Sequence, residues 1–308
     1  MDADHENRPL SKEAIDVASN FFYDGFLSTE GDELYYKIRG KGKAIIFIAP
    51  AGGDGDGYYP IAKALSDKYK VITYDRRANT RSTMNFPDHF DIRQQSRDAL
   101  SVLRAAGEES AIVVGNSSGA VIALDMSTAY PEAVHGAIVH EAAIPCVLPD
   151  IEAKKWADFF KDCYDIGKQK GASRGAMKFY FGIELPAVRL MIDTLKVYKY
   201  RKQDKISCDV KYIPSKAGSE FLLFQELLPV TSYQPDFDAL KNSGVEIFIG
   251  CGEYGLAKNT WYARAAKIMA NRLGCELLAF PGHHGEYMGR NYLPWANVVR
   301  EAIQKMGW

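Results

Sequence analysis

The chain has 308 residues, 47% of them hydrophobic and 25% charged, and 38 Lys and Arg against 39 Asp and Glu leave a formal net charge of −1. That composition excludes disorder over most of the chain, and the charge balance gives no support to a broad nucleic-acid-binding surface. The length suits one large α/β domain with an insertion, and no stretch approaches the roughly 20 apolar residues that cross a bilayer.

Along the chain, a polar leader (residues 1–20) comes first, with mixed charge and no apolar run of the kind that directs secretion. Residues 25–39 alternate as strands do, around a turn at Glu30-Gly31-Asp32, and predict an antiparallel hairpin at a sheet edge. Residues 44–49 are an unbroken apolar run, as expected of a strand covered on both faces. A glycine-rich loop (50–57) leads to a helical stretch with Ile61, Leu65 and Tyr69, and 71–75 reads as another buried strand. A helix over 94–106, a strand over 111–114, a tight turn running into a helix over 115–130 and a strand over 136–141 follow. From 145 to 238 the chain is helical, rich in aromatic residues and lysine, and without a strong strand. Alternation then resumes with a strand at 245–249, a helix at 260–273, a strand at 275–280 and a closing helix at 295–306. Strand–helix alternation predicts a mostly parallel sheet with helices on both faces. Residues 21–144 and 239–308 would form that core, with 145–238 inserted as a helical lid. The five cysteines (146, 163, 208, 251, 275) are odd in number and have no CxxC or His–Cys metal spacing. They are expected to be free thiols in a reducing, cytoplasmic setting.

The most informative five residues are Gly115-Asn116-Ser117-Ser118-Gly119, a G-x-S-x-G pattern between an apolar strand and a helix. A sharp strand-to-helix turn strains the backbone at Ser117, and side chains two positions to either side would collide with neighbouring chain. Glycines at 115 and 119 remove the collision, and the helix N-terminus favours negative charge beside the hydroxyl. A serine cap on an ordinary helix would not need both glycines.

With this elbow, the glycine-rich loop, the segment Asp75-Arg76-Arg77-Ala78-Asn79-Thr80-Arg81-Ser82 and the C-terminal Pro281-Gly282-His283-His284, the chain resembles the α/β-hydrolase superfamily from about residue 25 onward. It departs from the usual pattern at Ala78, where glycine is common. Arg76, Arg77 and Arg81 are expected to make structural ion pairs beneath the loops. The resemblance implies an α/β-hydrolase fold with Ser117 as nucleophile. A serine needs a base, and of six histidines those at 283 and 284 follow the last strand, at the end of a parallel sheet where catalytic groups collect. The family pattern F-P-G-x-H selects His284 over His283; His140 is expected to be a hydrogen-bonded core residue.

The acid has two candidates. In the common G-x-x-D pattern after the strand before last, Gly255 stands where the Asp would be, so Glu253 would serve only with a shifted register. The other is Glu141, ending the strand after the nucleophile helix. That placement resembles a subset of the superfamily with a glutamate acid there, the zearalenone lactonases among them, and keeps the order Ser, acid, His. A charged residue ending an apolar strand also needs a partner, since unpaired burial costs several kcal/mol. For the oxyanion hole, the Ser118 N–H follows the nucleophile, and by resemblance Gly52, with Ala51 next, supplies the second donor. The glycine-rich loop has no phosphate-loop spacing, and Asp54 and Asp56 lack the glutamate of a calcium loop.

Trp156, Phe159, Phe160, Tyr164, Met177, Phe179, Tyr180, Phe181, Met191, Tyr198 and Tyr200 are expected mostly to pack the lid onto the core and to roof an apolar pocket over Ser117. The lysines of this stretch are expected to form a solvated face. The activity implied is hydrolysis of a hydrophobic small-molecule ester or lactone through an acyl-enzyme, with no metal or organic cofactor. The same triad serves C–C bond hydrolases, amidases and perhydrolases, and a ligand-binding receptor on this scaffold is the alternative from another class. Oligomeric state is not legible.

Overall fold

The structure, a computed structural model, describes residues 22–204 and 211–308. The polar leader with His5, and Lys205 and Cys208, lie outside the described residues.

Eight strands form one sheet. They are β1 (Phe22–Thr29), β2 (Asp32–Arg39), β3 (Ala44–Ile48), β4 (Lys70–Tyr74), β5 (Ala111–Asn116), β6 (Val134–His140), β7 (Glu246–Gly252) and β8 (Leu277–Phe280). Their order is β1-β2-β4-β3-β5-β6-β7-β8. β1 and β2 form the expected hairpin, Thr29 opposite Asp32, through Glu30 (φ 44°) and Gly31 (φ 82°), the left-handed pair that a two-residue turn requires. β2 meets β4 antiparallel, and every pairing from β4 to β8 is parallel.

Helices follow as α1 (Tyr59–Leu65), α2 (Ile92–Ala105) and α3 (Ser118–Ala129), then α4 (Asp150–Lys170), α5 (Ala172–Gly182) and α6 (Ala187–Arg201). After these come α7 (Ser215–Phe221), a π turn over Leu222–Glu226, α8 (Leu227–Thr231) and α9 (Phe237–Asn242). The chain closes with α10 (Glu253–Lys258), α11 (Trp261–Leu273) and α12 (Tyr292–Lys305). The continuous apolar runs are continuous because both faces are covered. Along β3, Ile46 and Ile48 enter the core shared with α2, α3 and α11, while Ile45 and Phe47 enter the one shared with α1 and α12. At about 0.8 kcal/mol per buried CH₂, these two cores supply the main drive for folding.

The segment after β4 is tied down by charge. Arg77 pairs with Asp32 (2.7 Å) and Asp98 (2.6 Å), and Arg81 with Asp75 (2.5 Å) and Asp56 (2.9 Å). Asp56 also takes Lys37 at 2.7 Å, so the Asp54–Asp56 stretch is neutralised by side chains of the protein itself. Ala78 adopts the left-handed conformation, φ 62°, that the more usual glycine reaches without strain.

The helical block between β6 and β7 departs from expectation in its aromatic residues. Trp156 and Phe160 are buried and stack around Trp261, at 5.1 and 5.9 Å between centroids. Met177, Phe181, Met191 and Tyr198, however, are each more than half exposed, and Tyr180 is 37% exposed. Aromatic content there does not equal packing onto the core, because a three-turn helix buries one stripe and leaves the rest to solvent.

Candidate active site

Ser117 sits between β5 and α3 at φ 56°, ψ −118°, a conformation that a non-glycine residue holds only when its surroundings enforce it. Its N–H donates to the His140 carbonyl (3.0 Å). The glycines do what the sequence requires of them. A Cβ at Gly115 would stand 2.2 Å from the Gly119 carbonyl oxygen, and one at Gly119 2.1 Å from that of Ile48.

His284 lies in the loop after β8, on the stretch Pro281–Gly285. Its Nδ1 is 2.5 Å from Glu141 Oε2, an approach across 143 residues. That contact leaves Nε2 as the ring nitrogen away from the carboxylate. Glu141 follows β6 in the left-handed region (φ 47°), which turns its side chain across the ends of β6 and β7. Its Oε1 accepts from the Gly252 N–H at 2.7 Å and the Cys251 thiol at 3.3 Å. Burial alone would push the Glu141 carboxyl up. The His140 and His284 imidazoles and the Gly252 N–H outweigh it and hold it down at about 2, so the carboxylate stays ionised.

His140 is a core residue: the Asn116 side-chain amide lies 2.7 Å from its Nδ1, and Phe280 and Trp295 pack edge-on against its ring. Burial pulls it down to about 4, and it is neutral. His283 points away from the elbow. Its Nε2 meets Asp193 of α6 at 2.9 Å and Glu286 at 3.4 Å, and its Nδ1 accepts from the Gly285 N–H at 3.2 Å. Those carboxylates are also engaged by Lys196 and Arg189, so the cluster is neutralised by protein cations. Glu253, the alternative acid, is exposed at the start of α10 and, among the described residues, accepts only a 3.3 Å bond from the Gly282 N–H.

Ser117, Ser118, Glu141 and His284 line one cavity of about 520 Å³, counted out to its solvent opening. Ser117 Oγ has no hydrogen-bond partner among the described residues. Ala51, not Gly52, reaches the wall from the glycine-rich loop, and the Gly53 N–H is committed to the Pro50 carbonyl (2.9 Å). Phe160 and Phe179 are the aromatic residues of the helical block that reach the wall, beside Ile183, Leu185, Leu227 and Val230. Trp261 and Tyr262 at the start of α11 complete it, which sequence reasoning missed because nothing local marks a helix start as a pocket wall.

Comparison with known proteins agrees with this architecture. A family described as α/β hydrolase fold matches residues 43–164. The uncharacterized hydrolase YraK of Bacillus subtilis is 29% identical over 269 residues, covering 86% of this chain and 90% of that one. The chain has the α/β-hydrolase fold. Among solved structures, an esterase from Thermogutta terrifontis superposes with a TM-score of 0.70 at 15% identity, covering 92% of this chain and 99% of that one. The enol-lactonase from Burkholderia xenovorans LB400 gives 0.65 at 15% identity, with the same coverage. At such identity these likenesses speak to the α/β-hydrolase fold alone. No helix among the described residues is long and apolar enough to cross a membrane.

Proposed function

We propose that this hydrolase cleaves a carboxylic ester or lactone of a hydrophobic small molecule through a covalent acyl-enzyme. His284 Nε2 takes the Ser117 proton as Oγ attacks the carbonyl carbon. Glu141 fixes the tautomer by accepting the Nδ1 proton and stabilises the imidazolium that forms. The Ser118 N–H, at the first turn of α3, and an N–H from the Ala51–Gly52 stretch hold the oxyanion. The imidazolium then protonates the leaving alkoxide, and water, deprotonated by the same ring, releases the acid. The apolar wall of Phe160, Phe179, Ile183 and Leu227 suits an apolar acyl or ring substituent.

The observation that carries this reading is the 2.5 Å contact between His284 and an ionised, buried Glu141 on the wall that also carries Ser117. The reading is supported further by the esterase and the enol-lactonase of like fold. A fluorophosphonate probe tests it together with a short p-nitrophenyl ester panel. Expected are labelling and turnover that Ser117→Ala abolishes. A folded wild-type protein that neither labels nor turns over any ester would favour a ligand-binding protein on this scaffold.

A further inference from the structure

The three arginines after β4 have different fates. Arg77 and Arg81 are taken up by Asp32, Asp98, Asp75 and Asp56 under the loops. Arg76, fully buried, extends towards the cavity. Its Nη2 donates to Glu226 Oε1 at 2.6 Å and to the Pro50 carbonyl at 2.8 Å, and lies 3.4 Å from Ser118 Oγ. Glu226 is 1% exposed and belongs to the cavity wall that carries Ser117 and His284. Its second oxygen, Oε2, has no hydrogen-bond partner among the described residues. A buried carboxylate oxygen left unpaired is costly, more so than a neutral one.

The surrounding chemistry makes that oxygen stand apart. Its chain neighbours on the wall, Leu222 and Leu227, are apolar. Thr231, another polar wall residue, spends its hydroxyl on the Leu227 carbonyl at 2.8 Å. Both Glu141 oxygens are taken by His284, Gly252 and Cys251. Glu226 closes the π turn Leu222–Glu226, where the wider helical turn re-aims the side chains that follow; such turns recur at functional sites.

We propose that Glu226 is a substrate-binding residue, its Oε2 accepting a hydrogen bond from a neutral donor, a hydroxyl or an amide N–H, carried by an otherwise apolar substrate. The donor is neutral because Arg76 already balances the carboxylate, and an ammonium group would bring an uncompensated charge into an apolar pocket. Arg76 also holds Pro50 and Ser118, so the binding oxygen and the oxyanion loop rest on one rigid support. This assignment rests on the hydrolase reading above and narrows its substrate class.

The test uses p-nitrophenyl esters whose acyl chains bear a hydroxyl or a secondary amide, moved stepwise along the chain, each paired with its O-methyl or N-methyl form. Wild-type protein is expected to favour the free donor at one position by about 10-fold or more in kcat/KM, the worth of a hydrogen bond to a charged group. The hydroxyl and amide arms tell the two donors apart. In Glu226→Gln the amide oxygen is expected to keep Arg76 and turn the NH₂ to the cavity, so the preference vanishes or reverses. Near-UV circular dichroism checks that the variant is folded. Equal rates for free and capped ligands in the wild type at every position would overturn the assignment, as would an unchanged preference in a folded Glu226→Gln. Kd values of the same pairs on Ser117→Ala, by calorimetry, decide the Glu226 question separately. Absent labelling and turnover with the Kd preference intact would sink the hydrolase reading alone.

Discussion

Gly119 lies so close to Ile48 that a Cβ on it would fall 2.1 Å from the Ile48 carbonyl oxygen. Both partners are backbone at the junction of β3, β5 and α3, where Ile48 is in register with Gly115, so neither can yield cheaply. Gly119→Ala is therefore expected to lower the melting temperature by roughly 5 °C or more and to abolish fluorophosphonate labelling. A variant that melts and labels like the wild type would contradict this close approach.

The two candidate acids separate kinetically. Glu141→Gln keeps the shape but loses the charge behind His284, and kcat on a short ester is expected to fall roughly 10³- to 10⁴-fold. Glu253→Gln alters an exposed side chain whose contact is the Gly282 N–H, and turnover is expected to change by less than about threefold. The reverse ordering, with both proteins folded, would transfer the acid role to Glu253.

Acid sensitivity follows from several depressed groups, among them His140 and Glu141, with His283 also held down by burial. Unfolded His140 takes up a proton below about 6.5, while burial holds the folded imidazole neutral down to about 4, so stability drains away as pH falls between those values. Glu141 stabilises the fold above its unfolded value of 4.5, and that contribution is lost as pH falls towards about 2. Melting curves from pH 7 to pH 4 should show a shallower acid decline for His140→Gln than for the wild type. Parallel curves would mean that His140 is not the group responsible for the upper part of the decline.

Ala78 offers the opposite kind of change. At φ 62° its Cβ is strained where glycine is not, and Ala78→Gly is expected to stabilise the protein by about 0.5–1 kcal/mol, despite the added freedom of the unfolded chain. Thermal denaturation reads this directly; a lower melting temperature would argue that the turn is held in some other way.

What was legible in the sequence was local. The elbow could be read because the collisions that glycines 115 and 119 relieve lie within a few residues of Ser117. The strands could be read because parallel strands covered on both faces carry uninterrupted apolar runs such as 44–49. The short helix α10 escaped notice, since Gly252 and Gly255 read as loop, whereas Gly255 is needed there for the close approach of the Tyr262 ring. Arg76 and Glu226 are separated by 150 residues. Nothing in either neighbourhood announces the pair, and all three arginines of that segment look alike until the fold sorts them. The aromatic residues of the helical block were over-assigned to the interior for a related reason: composition does not say which stripe of a helix meets a partner.

Ser117, Glu141 and His284 hang from the carboxyl ends of three strands, β5, β6 and β8, and β8 joins them only through β7 at the far side of the sheet. No fragment short of residue 284 contains the set, and none can assemble it before the late strands dock in register. On the mechanism proposed above, hydrolytic competence therefore waits until the loop after β8 has been made and docked, late in the maturation of this polypeptide.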